Sequence, residues 1–172
     1  MIAATALMQV GSNKKLHLFD TFADMTKPTS DDFEILSGIS ADQMLNNEQR
    51  IDGKSNTWAF ATLGDVKQNF KEIDFPLDRL SYVEGVVLNT VPKHLPAQLA
   101  VCRIATDWYE STKHIITHAW PRISDFEILL LDDYDVWSGS RKAIDEYFLE
   151  IGYQLLSIRI DSGRLIIKLP KK

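Results

Sequence analysis

The sequence predicts an α/β fold built on a mostly parallel sheet that closes with an antiparallel hairpin. Apolar runs typical of strands alternate with segments of helical spacing, a pattern typical of strand–helix–strand units. Near the end, two apolar segments, 155–160 and 164–169, flank Asp161-Ser162-Gly163, which predicts a tight hairpin turn. The 172 residues, 45% of them hydrophobic, can bury one substantial core. We therefore expect a single domain over 1–172.

Each predicted element follows from local spacing and from the glycine or proline that ends it. The pattern predicts, in order, a buried helix over 1–8 ending near Gly11, a strand over 16–19, a helix over 63–73, a β-rich segment over 81–87, a strand over 99–104, a helix over 109–120 stopped by Pro121, a strand over 128–131 and a helix over 139–151 stopped by Gly152. Residues 23–58 interrupt this alternation. They are long, polar and rich in Asp, Asn and Ser, which predicts a lid or insertion with little regular structure beyond some helix around 41–46.

Composition excludes several classes of protein. A net charge of −5 and a pI near 5.3 leave no broad basic surface, so we expect no nucleic-acid partner. The apolar start, 1–8, is too short to span a bilayer and has no cationic residues before it, so we expect no membrane partner. The single cysteine, Cys102, lies in an apolar run and predicts a buried thiol. These features predict a cytoplasmic protein.

Asp132 and Asp133 directly follow the apolar run 128–131, and they are the most informative feature of the chain. Ligands of open α/β sheets bind at the carboxyl ends of the strands. Two adjacent carboxylates there suggest a divalent metal, because hard cations prefer oxygen ligands. The alternative is a capping or solvated turn pair.

Several blocks of the sequence closely resemble the macrocin O-methyltransferase family, and the resemblance covers essentially the whole chain. These blocks are 16–22 (LHLFDTF), 106–112 (TDWYEST), 132–134 (DDY) and 137–147 (WSGSRKAIDEY), followed by 159–161 and 163–164. The resemblance implies a Rossmann-like class I methyltransferase sheet. It further implies an S-adenosylmethionine-dependent, magnesium-assisted enzyme that methylates sugar hydroxyls, so that the partners would be a small glycoside or sugar acceptor and a second subunit in a homodimer.

The same resemblance implies roles for particular residues. Asp20 would accept hydrogen bonds from the ribose hydroxyls of the cofactor, with Thr21 and Gly85 in the same cofactor site; the alternative for Asp20 is an ordinary carboxylate at a strand end. Asp132 and Asp133 would coordinate magnesium. In the family the metal lowers the pKa of the accepting hydroxyl, and a nearby base removes its proton as the methyl group transfers.

The chain departs from the family at its beginning. Family members start with a central strand and a Gly-rich turn that holds the cofactor, whereas this chain starts inside the helix that should follow, and no Gly-rich loop occurs in it. We expect weak S-adenosylmethionine binding or none. We also expect either an N-terminally truncated fragment of a longer product, or direct pairing of the strands at 16–19 and 99–104, because unpaired inner edges would leave buried amides without partners.

A second departure is Ala105, which stands where the family has a metal-ligating Asp that is also its general base. Asp107, two residues on, could substitute as metal ligand and catalytic base if the strand end bends. Otherwise we expect magnesium binding no better than about millimolar. Asp125-Phe126 also replaces the Gly-Gly turn usual before the last metal-binding strand.

Three functions therefore remain open from the sequence. The first is an S-adenosylmethionine-dependent sugar O-methyltransferase. The second is a catalytically inactive homologue or fragment that acts as a binding or dimerisation module. The third is a gene remnant without a selected function.

Overall fold

The computed structural model describes residues 1–47 and 60–170, so the part of the predicted lid at 48–58 lies outside the described residues. Its helices and strands in chain order are α1 (Ile2–Gln9), β1 (Leu16–Asp20), α2 (Ala41–Asn47), α3 (Leu63–Glu72), β2 (Leu80–Glu84), α4 (Val87–Thr90), β3 (Leu99–Ile104), α5 (Tyr109–Ala119), β4 (Ile123–Leu131), α6 (Ser138–Glu150), β5 (Leu156–Ile160) and β6 (Gly163–Ile167). The chain divides into two compact units. Of the described residues, unit 1 comprises 1–26 and 60–90, and unit 2 comprises 27–47 and 91–170.

Unit 1 is built on a two-stranded parallel sheet. The pairing of β1 with β2 runs from Leu16 opposite Leu80 to Asp20 opposite Glu84, so both strands end at the same edge. The predicted β-rich segment 81–87 ends earlier than expected. Gly85 has φ +134°, and Val87 already belongs to α4. Glycine tolerates this backbone conformation, which does not continue a regular strand.

The prediction of a buried first helix is only half right. The helix α1 forms and is followed by Gly11 at φ +63°, but Ala4 is its one fully buried residue, packed near Phe70 and Phe75. Ile2 is 89% exposed. Because a helix turns about 100° per residue, an unbroken apolar run covers every face, and a neighbouring sheet can cover only one of them.

Unit 2 is built on a four-stranded sheet in the order β3-β4-β6-β5. The strands β3 and β4 are parallel, and β6 runs antiparallel to both β4 and β5. The tight turn between β5 and β6 contains Asp161 at φ +53°. The predicted α/β fold and its closing antiparallel hairpin are therefore confirmed, but the described strands form two sheets rather than one, and the four-stranded sheet is mixed, with one parallel and two antiparallel pairings.

The direct pairing expected between the strands at 16–19 and 99–104 is wrong for the residues that the structure describes. Here β1 pairs with β2, and β3 pairs with β4. The expectation assumed that both free edges lie in a dry core, where unpaired amides are costly. In β3, however, Val101 is 55% exposed, so water can reach this strand.

A bulge interrupts β4 at Asp125-Phe126, the pair that replaces the Gly-Gly turn usual in the family. The register with β3 moves from Leu99 opposite Ile123 to Val101 opposite Ile128, so β4 contains three extra residues. At the bulge, Phe126 has φ +66° and is 69% exposed. Its N–H donates to the carbonyl of Lys168 at 2.6 Å. Side chains other than glycine rarely adopt this conformation, which explains why glycine suits the position.

The core of unit 2 lies between its sheet and the helices α5 and α6. Ile116, Leu129, Ile144 and Ile166 are each no more than 1% exposed and anchor this core. Within the described ranges, no helix has the length and apolar character needed to cross a membrane.

Candidate active site

Asp107 and Asp133 form a hydrogen-bonded carboxyl pair at the carboxyl ends of β3 and β4. Burial, then the charge of Asp133 and a hydrogen bond with it, and finally the charge of Asp32 together raise the pKa of Asp107 to about 8. The pKa of Asp133 is also raised, by burial first and then by Asp132. Two close carboxylates cannot both ionise cheaply, so the pair retains a proton at neutral pH.

The bend that brings Asp107 to Asp133 is held by two threonines. The strand β3 ends at Ile104, and the hydroxyl of Thr112 on α5 donates to the carbonyl of Thr106 at 2.8 Å. The two threonine hydroxyl oxygens are 2.9 Å apart. Ala105 is exposed and offers only a methyl group. Residues 105–107 follow the end of the strand, and the role of Asp107 as substitute metal ligand and base stays a prediction.

Asp132 is engaged differently from its neighbour. Its carboxylate forms an ion pair with Arg103 of β3, and the two side chains are 36% and 63% exposed. Its backbone N–H donates to the carbonyl of Ile104 at 3.1 Å. Sequence reasoning missed Arg103. The register of β3 and β4 brings the end of one strand beside the end of the other, and only pairing reveals that register.

Asp32 is a buried carboxylate that sequence reasoning also missed. It is fully buried, and it accepts hydrogen bonds from the N–H of Tyr109 and the N–H of Thr29, both at 2.7 Å. Tyr109 is the first residue of α5, so Asp32 caps that helix across 77 residues of sequence. Asp32 lies in the segment predicted to be an irregular lid, so no periodic pattern marked it as buried. Its being a carboxylate was the only sign in the sequence that it could be a functional residue.

The residues around this pair fit a divalent cation in part. Among residues 1–47 and 60–170, no three His, Cys, Asp or Glu side chains are grouped to hold a metal ion. The oxygens of Asp107 and Asp133 suit magnesium, which usually takes one or two carboxylates and fills its other positions with water. The set of three carboxylates, with Asp132 as a further ligand, stays a prediction.

In unit 1 the structure brings together the three residues predicted to hold the cofactor. The N–H of Gly85 donates to the carbonyl of Asp20 at 2.9 Å, at the edge where β1 and β2 end. The N–H of Phe22 donates to Oδ1 of Asp20 at 2.7 Å. The hydroxyl of Thr21 donates to nearby carbonyls of its own loop. Asp20 is exposed, so its carboxylate is open to a ligand.

The parallel strands, the closing hairpin and the carboxylates at the strand ends define a class I methyltransferase-like α/β fold. The O-methyltransferase NovP superimposes with a TM-score of 0.79 at 20% identity, over 98% of this chain and 66% of that one. The calicheamicin methyltransferase CalS11 superimposes with a TM-score of 0.60 at 20% identity, over 89% of this chain and 60% of that one.

The particular family follows from sequence comparison. The macrocin-O-methyltransferase (TylF) family model matches residues 1–162, so this chain belongs to that family. It is 26% identical over 140 residues, 80% of its length, to demethyldecarbamoylnovobiocin O-methyltransferase of Streptomyces niveus. It is 30% identical over 128 residues, 74% of its length, to mycinamicin III 3''-O-methyltransferase of Micromonospora griseorubida. The chain spans 53% and 46% of these two relatives, about half of each.

Proposed function

We propose that this chain takes part in S-adenosylmethionine-dependent, metal-assisted methylation of a sugar hydroxyl on a natural product. Membership of the macrocin O-methyltransferase family supports this proposal, as do the activities that name its relatives. The observation that carries it is the Asp107–Asp133 pair at the carboxyl ends of two parallel strands. Ligands of open α/β sheets bind at this edge.

The pair has two tasks in this mechanism. Asp107 and Asp133 would hold the magnesium ion, which when bound lowers the pKa of the acceptor hydroxyl. Because the pair shares a proton without a cation, metal binding should release that proton to solvent. Once ionised, Asp107 is the general base that takes the hydroxyl proton while the methyl group transfers.

Asp20, Thr21 and Gly85 would hold the cofactor. The carboxylate of Asp20 accepts hydrogen bonds from the ribose hydroxyls, and its orientation is set by the N–H of Phe22. Glycine suits position 85 because its backbone has φ +134° and a Cβ there would lie 3.2 Å from Cγ2 of Thr90. We further propose that the protein is cytoplasmic and forms a homodimer.

One observation favours the second function, a methyltransferase-like binding module without activity. The ion pair between Arg103 and Asp132 competes with metal for one of the predicted ligands. Ala105 supplies no replacement, so catalysis depends on Asp107.

Methyl transfer from S-adenosylmethionine to a panel of glycosylated macrolides and free deoxysugars, measured by mass spectrometry, tests the proposal. The cofactor should be present at millimolar concentration, and magnesium should be compared with EDTA. Asp133→Asn should lower the rate by about 100-fold, a loss typical of disrupted metal or acid–base catalysis. Asp125→Asn, which changes an exposed carboxylate on the β4 bulge, should leave the rate unchanged.

The outcomes separate the two functions. If EDTA does not change the rate of methyl transfer, the role of the metal is rejected and the methyltransferase function stands. Absence of transfer to every acceptor, in a protein that binds both cofactor and magnesium, would favour the binding module.

A further inference from the structure

The strand β5 is an open edge of the four-stranded sheet. It lies at the end of the order β3-β4-β6-β5, and among residues 1–47 and 60–170 it pairs with β6 alone. All five of its residues, 156–160, are exposed. We propose that β5 pairs antiparallel with β5 of a second copy of this chain, so that two four-stranded sheets join into one of eight strands. The inference rests on the homodimer proposed above, to which it gives a surface and a register.

The strand β5 lacks the features that usually keep an edge strand from pairing. Natural edges carry lysine, proline, a bulge or an inward-pointing charge. The sequence of β5, LSIRI, contains neither lysine nor proline, and its register with β6 has no bulge. Its one charged residue, Arg159, is engaged within its own chain. The Nε of Arg159 lies 3.4 Å from Oδ2 of Asp135 and donates to the carbonyl of Asp161 at 3.0 Å.

An apolar row runs along one face of this edge. Leu156, Ile158 and Ile160 alternate along the strand, so they share a face, and they are 48%, 49% and 51% exposed. On the same face, Leu165 and Ile167 of β6 lie opposite Ile158 and Leu156. A row of half-exposed apolar side chains on an unprotected edge indicates a surface that another chain covers.

The backbone of β5 has its free hydrogen-bonding groups at alternate residues. Directly after β6, the N–H of Lys168 donates to the carbonyl of Glu127 on β4 at 3.0 Å. Neighbouring residues of a strand direct these groups to opposite sides, so the odd-numbered residues of β6 direct theirs to the even-numbered residues of β5. Ser157 and Arg159 therefore direct their N–H and C=O groups to the open edge.

The sequence of β5 is complementary to itself in one register. With a two-fold axis at Ile158, Leu156 lies opposite the partner's Ile160, and Ser157 lies opposite the partner's Arg159. Apolar residues then meet apolar ones, and the outward backbone groups pair. An axis at Arg159 would set two like charges opposite each other, which is destabilising. An axis at Ser157 would pair only part of the strand.

Sedimentation velocity of the full chain over a series of concentrations tests the inference. A pair of short strands buries little area, so the parent should form a dimer that dissociates on dilution. Ile158→Lys places two like charges opposite each other at the two-fold axis and should weaken dimerisation by about tenfold. The matched control is Leu149→Lys, because Leu149 is 83% exposed on α6 and lies outside β5. That variant should dimerise like the parent, and circular dichroism confirms that each variant is folded.

Disulfide cross-linking tests the register independently. In the proposed register Ile158 faces its counterpart in a non-hydrogen-bonded pair, where Cα atoms are about 4.5 Å apart and a disulfide can form. Ile158→Cys should therefore give a covalent dimer when oxidised with diamide. Leu156→Cys alone should not, whereas a mixture of Leu156→Cys and Ile160→Cys should. The parent, whose one cysteine is Cys102, is the background control.

Three results would overturn the inference: a parent that is monomeric at every concentration, a dimer that is equally stable in Ile158→Lys, or cross-linking of Leu156→Cys as efficient as that of Ile158→Cys. If Ile158→Lys does not fold, the cross-linking result decides. A stable dimer in Ile158→Lys would keep the proposed homodimer and reject this surface alone. Since no methyl transfer is measured, each of these failures is distinct from failure of the proposed reaction.

Discussion

Asp32 occupies the space that a side chain at Gly139 would need. A Cβ at Gly139 would lie 1.8 Å from Oδ1 of Asp32 and 2.8 Å from the backbone nitrogen of Tyr109. The carboxylate can therefore reach the first turn of α5 because residue 139, in the first turn of α6, is glycine. This contact ties the segment before α2 to both helices that frame the carboxylate pair.

Gly139→Ala should lower the free energy of unfolding by about 3 kcal/mol, because it combines overpacking with loss of a helix cap. The measurement is chemical denaturation followed by circular dichroism. Gly64→Ala is the control, since Gly64 lies in α3 with its nearest contact at 3.5 Å. That change should be neutral or stabilise the protein by up to about 1 kcal/mol. Equal stability of Gly139→Ala and the parent would contradict the packing described here.

Asp107 should make stability dependent on pH when no metal is bound. The pKa of Asp107 in the folded protein is about 8 against an ordinary value of 3.8, so the folded state binds more protons than the unfolded state between these two pH values. Stability should therefore fall as pH rises from about 4 to about 8 and level off above. Asp107→Asn removes this titration. The free energy of unfolding of the variant, relative to that of the parent, should therefore increase as pH rises from about 4 to about 8.

Unfolding of both proteins in EDTA at a series of pH values measures the effect of Asp107. Asp125→Asn, which changes an exposed carboxylate, is measured in parallel as the control. A constant difference between parent and Asp107→Asn at every pH would show that Asp107 ionises normally.

Restoring the carboxylate at position 105 should strengthen magnesium binding. Ala105→Asp adds one hard ligand and one negative charge, and we expect about tenfold tighter binding from that charge. The gain should vanish with Asp133→Asn, because ligands of one metal act together. Calorimetry of the parent, the two single variants and the double variant measures this coupling. Equal affinity of the parent and Ala105→Asp would contradict the prediction, and Asp107→Asn would then show whether Asp107 already completes the site.

Asp20 should carry much of the cofactor binding, and the affinity should nevertheless be weak. No Gly-rich turn occurs in this sequence, so we expect binding weaker than micromolar. Asp20→Asn should weaken it by a further factor of about ten, since a hydrogen bond to a charged group contributes about 1.5–3 kcal/mol. Asp78→Asn, at an exposed turn of unit 1, should have no effect. Micromolar binding by the parent would overturn the prediction of weak affinity.

The sequence by itself determined the elements and their order. The apolar run before Asp132, the turn at 161–163 and the glycine after α6 act over a few residues, and local spacing was enough to predict a strand, a hairpin and a helix end. The blocks shared with the macrocin O-methyltransferases were likewise visible without coordinates.

Only the tertiary structure decided which strands pair and which carboxylates meet. The pairing of β1 with β2, the ion pair of Asp132 with Arg103 and the capping of α5 by Asp32 all join residues 29 to 77 positions apart. Such contacts depend on the register of the sheet and on the space left by one glycine, Gly139. Periodicity reports which face of an element is apolar, but it carries no information about the partner that covers that face.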